Sequence, residues 1–175
     1  AAVARRMGLS RVADDCGVPL ADFEEAETVS FPEGHFVKQF DIAKGVLAAD
    51  GLVSVAKFKT HGMMRITGAI KNQFGCVPGA RKAGFHARMS DEDKFARMLV
   101  DLNLLLKPRF CVMDGIVAMQ GNGPRNGDPY PLKALLFSND MAALDATMAR
   151  IIQLDPRLSS VFRYAQEWGL GETQD

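Results

Sequence analysis

The spacing of apolar positions changes several times along this chain, and each change predicts an element. Residues 3–16 carry Val3, Met7, Val12 and Ala13 among Arg and Asp. That spacing predicts a helix broken or capped near Gly8 and ended by Gly17, with Ser10 able to cap a second turn. GVPLADF (17–23) reads as a short strand. Residues 24–34 are acidic and contain Pro32 and Gly34, which predicts a loop around a short strand at Thr28–Phe31. From Phe36 to Phe40 apolar and polar residues alternate, and Ile42 continues the period of a half-exposed strand. Ala43 to Ala49 reads as a short helix.

Leu52–Ala56 is a continuous run of small apolar residues, as expected for a central strand covered on both faces. The period then changes. Met63, Ile66, Ile70 and Phe74 fall at helical spacing, with Gly75 as a stop. Residues 76–89, with Pro78, Gly79, Gly84 and several bases, read as a cationic loop. Ser90 and Asp93 resemble a capping box that opens a helix burying Phe95, Met98, Leu99, Leu102 and Leu105 or Leu106. Phe110–Met113 is a second buried strand, ending at Asp114. GIVAMQGNGPRNGDPYP (115–131) reads as a loop. Leu135–Phe137 is a third core strand. Ser138, Asn139 and Asp140 offer caps for a helix at Met141–Gln153. A last helix starts at Asp155–Pro156 and buries Leu158, Val161, Phe162, Ala165 and Trp168. This alternation predicts one α/β domain over residues 1–175. Its form would be three-layered and Rossmann-like, with a mainly parallel sheet and helices on both faces. Ligands of such sheets sit beyond the C-terminal ends of the strands. That rule gathers Lys57–His61, Asp114 and Ser138–Asp140 on one rim.

Composition places the chain among ordinary globular proteins: 47% of its 175 residues are apolar and 24% charged. No apolar run approaches the roughly 20 residues of a membrane-spanning helix. Asp14, Asp15 and Asp22 interrupt any signal-peptide layout, so a cytoplasmic protein that does not enter membranes is expected. Cys16, Cys76 and Cys111 are odd in number and widely spaced. That pattern argues against a disulfide framework, a structural zinc site or an iron–sulfur cluster held by this chain alone.

Charge changes the picture more. Lys plus Arg and Asp plus Glu number 21 each, yet Gly51–Ser90 contains no acid at all. It holds Lys57, Lys59, Arg65, Lys71, Arg81, Lys82 and Arg88, with His61 and His86. Such a segment focuses anions, unless its bases pair with acids elsewhere such as Asp114 or Asp145. Lys59 and His61, two apart in an extended segment, face one side. Lys71 lies four after Thr67 on one helix face. Together these residues can bind a carboxylate or phosphate and move a proton, a task suited to His61. The alternative is that each simply points to water.

Asp114 suits a metal ligand, a general base or a partner for Lys59, and equally a turn residue bonding its own backbone. Gln120–Pro124 can bring backbone N–H groups to an anion, although no GK[ST] follows as in a P-loop. Asp145 sits among apolar residues of its helix, so it is expected to pair with Lys71 or Arg65. His35 and His86 lack metal-ligand spacing and read as surface residues.

KFKTHGMMRITGAIKNQFGCVPG, then DGIVAMQGNGPRNGDP, then NDMAALDATMARIIQLDP resemble, in order, a prokaryotic family numbered 362 among the domains of unknown function. The resemblance runs from about Gly8 onward. It implies an α/β protein of a kind often fused to a ferredoxin-like domain with two 4Fe–4S clusters, whose cysteines this chain lacks. It also implies a start just after the Gly-rich turn of a preceding strand–helix segment, which would leave an open sheet edge and favour a homo-oligomer. Residue by residue it points to Lys57, Lys59, Thr60, His61, Gly68, Lys71, Asn72, Gly75, Asp114, Gly115, Gly121, Asn122, Gly123, Pro124 and Asp145.

The functional expectation is a strand-end site for an anionic small molecule, with Lys59, His61 and Asp114 as its chemical groups. Lys57, Thr60, Lys71, Asn72, Gly121, Asn122, Gly123 and Asp145 would surround the ligand. The rival is an accessory domain that docks an acidic ferredoxin-like partner through the same charges. Nucleic-acid binding fits less well, because the chain is neutral and its bases are not interleaved with aromatics.

Overall fold

The computed structural model describes residues 2–174; for Ala2, Val3, Ala80, Ala83, His86 and Ala87 it describes the backbone alone. The sequence expectations for the side chains of Val3 and His86 therefore lie outside the described residues. In chain order the helices are α1 (Ala2–Arg6), α2 (Leu9–Cys16), α3 (Lys44–Leu47), α4 (Ala69–Asn72), α5 (Gly79–Arg88), α6 (Glu92–Leu106), α7 (Met141–Ile151) and α8 (Ser160–Glu167). The strands are β1 (Ala26–Ser30), β2 (Gln39–Ala43), β3 (Val53–His61), β4 (Arg65–Thr67), β5 (Phe110–Asn122), β6 (Asn126–Tyr130) and β7 (Ala134–Ser138).

The chain is an α/β fold built on a mixed sheet. Its central pair is parallel: β3 runs beside β5 from Val53↔Phe110 to Lys57↔Asp114. The flanking pairs are antiparallel: β4 on β3, β6 on the far half of β5, and β7 on its near half. Helices α4, α6, α7 and α8 pack together over one face of this sheet. Ala56 and Phe58 of β3 and Cys111 and Met113 of β5 point into that core. There they join Phe95, Leu99, Leu102, Met148 and Phe162, none more than 1% exposed.

Several local expectations change. Residues 18–23 form no strand. Phe36 and Val37 are loop residues, because the buried Asp101 carboxyl accepts the backbone N–H groups of His35, Phe36 and Val37 at 2.7–2.8 Å. His35 is exposed, as expected, and stacks on Trp168 with ring centroids 4.5 Å apart. The expected cationic loop at 76–89 contains α5, which Phe85 anchors against Phe40 and Phe74. Asp91, not Ser90, caps α6 by accepting from the Lys94 N–H. Residues 115–131 are mostly a hairpin, in which β5 continues to Asn122 and β6 returns.

That hairpin reverses the chain, so β7 runs antiparallel to β5 and Ser138 pairs with Cys111. Ser138–Asp140 therefore lie at the opposite rim from Lys57–His61, not beside them. The edge of β3 is also partly sealed: Thr67 Oγ1 donates to the Lys57 carbonyl and Asn72 Nδ2 to the Val55 carbonyl. Carbonyls occupied in this way are poor templates for another strand.

The largest departure concerns β3 itself. Val53 and Val55 are 63% and 67% exposed, so the run is covered on one face only. Phe110, Leu135 and Phe137 share the open side, and together these residues form a bare apolar wall. The two faces should respond differently to truncation. Phe137→Ser on the wall should shift unfolding stability by less than about 1 kcal/mol. Met113→Ala on the covered face, where Met113 is 0% exposed, should cost about 2–5 kcal/mol. Urea titration of both variants measures the contrast.

Candidate functional site

The site begins with a buried carboxyl group. Asp145 on α7 is 4% exposed, and its two oxygens accept from the backbone N–H groups of Ala69 (2.6 Å) and Ile70 (3.0 Å). These are donors that a helix start leaves without intrahelical partners, so Asp145 caps α4 from another helix. Gly68 permits the approach. A Cβ there would lie 2.2 Å from Asp145 Oδ1. The expected ion pair of Asp145 with Lys71 or Arg65 is replaced by this cap. At the other end of the short helix, Asn72 donates to two groups of β3, Ser54 Oγ (3.0 Å) and the Val55 carbonyl. The turn that carries Lys71 is thus held from both sides.

Alongside the C-terminal half of β3 lies a pocket of about 400 Å3. Lys57, Lys59 and His61 reach it from β3, Lys71 and Asn72 from α4, and Lys82 from α5. Arg125, from the β5–β6 turn, completes the cationic lining. Among the described residues, Lys59, Lys71, Lys82 and Arg125 form no ion pair with a carboxylate. Instead Lys71 Nζ lies 5.9 Å from the centre of the Phe95 ring, and Lys82 Nζ 5.7 Å from that of Phe74. Burial, followed by the charges of Lys82 and Lys59, lowers the Lys71 pKa from its ordinary value. Burial also lowers that of Lys82. His61 Nδ1 accepts from the backbone N–H groups of Met63 (3.2 Å) and Met64 (3.1 Å). In the neutral ring the proton then resides on Nε2.

Of the residues singled out in the sequence, Lys57, Lys59, His61, Lys71 and Asn72 meet at the pocket, with Gly68, Gly75 and Pro124 in its wall. Asp114 does not line it. It bonds Lys57 Nζ at 2.8 Å rather than Lys59, and its other oxygen accepts from its own turn at Ile116. The hydrogen bond with Lys57 holds the Asp114 carboxyl below its ordinary pKa. Thr60 points to the other side of β3 and donates to the Gly121 carbonyl (3.0 Å). Gly121, Asn122 and Gly123 shape the hairpin tip, and a Cβ on Gly123 would meet the Thr60 carbonyl at 2.2 Å. These contacts bring Pro124 and Arg125 to the pocket. Gly115 is pressed against Ala134 and Met148. Asp145 stands behind the pocket as a support. Lys82 and Arg125 were absent from the expected site. The acid-free stretch pointed to Lys82, and the turn residues before Arg125 were the only pointer to it.

The residues present do not suit an iron–sulfur cluster. Such clusters need four ligands, commonly Cys. Here Cys76 and Cys111 are buried and Cys16 is exposed. No three His, Cys, Asp or Glu side chains gather as metal ligands among the described residues. No helix among them is long and apolar enough to cross a membrane.

The Asp145 cap has a measurable pH signature. Burial pushes its pKa up to about 7 from 3.8, against the two N–H bonds that pull it down. A carboxyl raised in this way binds its proton more tightly in the folded state. Its contribution to stability is therefore complete below pH 3.8 and is lost as pH rises through about 7. Relative to Asp145→Asn, which does not titrate, the wild type should lose stability across that window in urea unfolding. Asp145→Ala, which orphans two buried N–H groups, should cost about 2–5 kcal/mol.

Comparison with known proteins adds family and length. The thylakoid-associated protein sll1697 of Synechocystis sp. (strain ATCC 27184 / PCC 6803 / Kazusa) is 34% identical over 170 residues. The match takes in 93% of this chain and 53% of that protein, so the chain spans about half the length of this curated relative. No solved structure matches the chain. The family profile for a domain of unknown function, DUF362, matches residues 1–150, and the chain belongs to that family.

Proposed function

We propose that this chain binds a small anion, a phosphate or carboxylate compound, in the pocket alongside the C-terminal half of β3. The observation that carries the reading is the convergence of Lys59, Lys71, Lys82 and Arg125 on about 400 Å3 with no carboxylate partner of their own. Like charges held together at a partly dry site repel, and a bound anion relieves that repulsion. Lys59 and Arg125 come from elements far apart in the chain, so their meeting is a product of the fold. His61 would offer an Nε2–H donor, and Lys57, already neutralised by Asp114, would contribute less.

The same charges underlie the alternative, docking of an acidic ferredoxin-like protein. Recession of the cations favours the small anion. Lys71 lies back against Phe95, where a free phosphate reaches more readily than a carboxylate fixed on a protein surface.

Calorimetric titration with inorganic phosphate and with citrate tests the reading. Lys59→Ala and Lys71→Ala should each weaken binding about tenfold or more, as for loss of a charge-assisted hydrogen bond. Lys57→Ala should weaken it less. Melting temperatures should stay within a few degrees, and binding should fall with added salt. Variants that unfold instead, or phosphate affinity that ignores them, would remove the proposal. An acidic ferredoxin-like protein that binds without competition from phosphate would favour the docking alternative.

A further inference from the structure

The pocket contains a lysine placed for more than charge. We propose that Lys71 is the amine of a carbonyl-binding site. Its Nζ would form an imine with an aldehyde or 2-oxo acid whose phosphate or carboxylate rests on Lys59, Lys82 and Arg125. This inference builds on the anion-binding reading and names the class of ligand.

Three features single out Lys71. An amine attacks a carbonyl only as the neutral base, and a carboxylate partner would hold its proton in place. Lys57 has such a partner in Asp114 at 2.8 Å; Lys71 has none among the described residues. The neighbours of Lys71 are instead cations and aromatic rings, with Phe95 beneath it and Phe74 in the wall. Desolvation beside like charge is a known way to activate a lysine. Burial and the charges of Lys82 and Lys59 accordingly lower its pKa. Finally, its backbone is fixed: Asp145 holds the N–H groups of Ala69 and Ile70, and Asn72 is tied to Ser54 and Val55. An amine on a fixed backbone, with a separate anion cradle, is the arrangement that makes addition effectively intramolecular.

The chemistry balances without an oxidant or reductant. The Nζ lone pair forms a C–N bond to the carbonyl carbon, and the carbonyl oxygen takes a proton. The carbinolamine then loses that oxygen as water and becomes the imine. Amine plus carbonyl gives imine plus water.

Pyridoxal 5′-phosphate, an aldehyde with a phosphate, is a suitable probe. The chain is incubated with it and treated with borohydride, whose hydride converts the imine to a stable secondary amine. Peptide mass spectrometry then locates the adduct. The expected result is labelling concentrated at Lys71, suppressed by inorganic phosphate. Pyridoxal without the phosphate should label about tenfold less, since it lacks the anchoring charge. Lys71→Arg should lose the adduct, and phosphate binding is measured separately by calorimetry on the wild type. Labelling spread over Lys57, Lys59, Lys82 and surface lysines, or unchanged in Lys71→Arg, would overturn the proposal. Phosphate binding without any Lys71 adduct sinks the imine and spares the anion site; absence of phosphate binding sinks both. If Lys71→Arg does not fold, adduct mapping and phosphate protection in the wild type decide the matter.

Discussion

Two backbone N–H groups, of Ala69 and Ile70, are met by the carboxyl of Asp145, 76 and 75 positions further along the chain. Much of the site follows from that contact. Asp145 lies inside the helical layer, where an unmet polar group is costly. It can sit there because a short helix start offers two donors without partners of their own. In return, α4 receives a cap that its own sequence does not supply. Gly68 is the steric condition for both. The cap ties α7 to the turn between β4 and α4, and so fixes the backbone that carries Lys71 relative to β3.

The cations that face Lys71 owe their position to different constraints. Lys57, Lys59 and His61 alternate with the buried Ala56 and Phe58 along β3, so burial of the latter turns the former outward together. Lys82 arrives because Phe85 anchors α5 against Phe40 and Phe74. Arg125 arrives because Thr60 and Gly123 clamp the hairpin tip onto β3. Four elements thus deliver positive charge to one volume. The one nearby carboxylate of β5, Asp114, is already bound to Lys57. Desolvation keeps this charge from being well screened, and the lowered pKa values of Lys71 and Lys82 are its local expression.

The α/β alternation, the parallel β3–β5 pair and the helices α6 and α7 were legible in apolar spacing and caps. So was the cationic cluster, because a stretch of forty residues without an acid is visible in the letters alone. The rest depended on contacts between distant residues. Pro78, Gly79 and Gly84 argue for a loop at α5, but the packing of Phe85 overrides them. The direction of β7 was misjudged although a clue existed. A parallel return from β5 needs a crossover connection, usually a helix, and residues 115–133 carry no helical period. The partner of Asp145 was hidden for a different reason. A carboxyl among apolar residues suggests a cationic side chain, whereas its true partners are main-chain groups that every residue possesses.

The bare wall formed by Val53, Val55, Phe110, Leu135 and Phe137 lies on the side of β3 from which Lys57 and Lys59 project. A body laid against that wall, another polypeptide layer or a second copy, would come to lie beside Lys57, the next outward residue of β3 after Val55. Water would leave the neighbourhood of Lys57, and the local dielectric there would fall. The attraction between its ammonium group and the Asp114 carboxylate would strengthen without a change in either residue. A greasy surface and a charged pocket thus draw on the same outward row of β3 side chains.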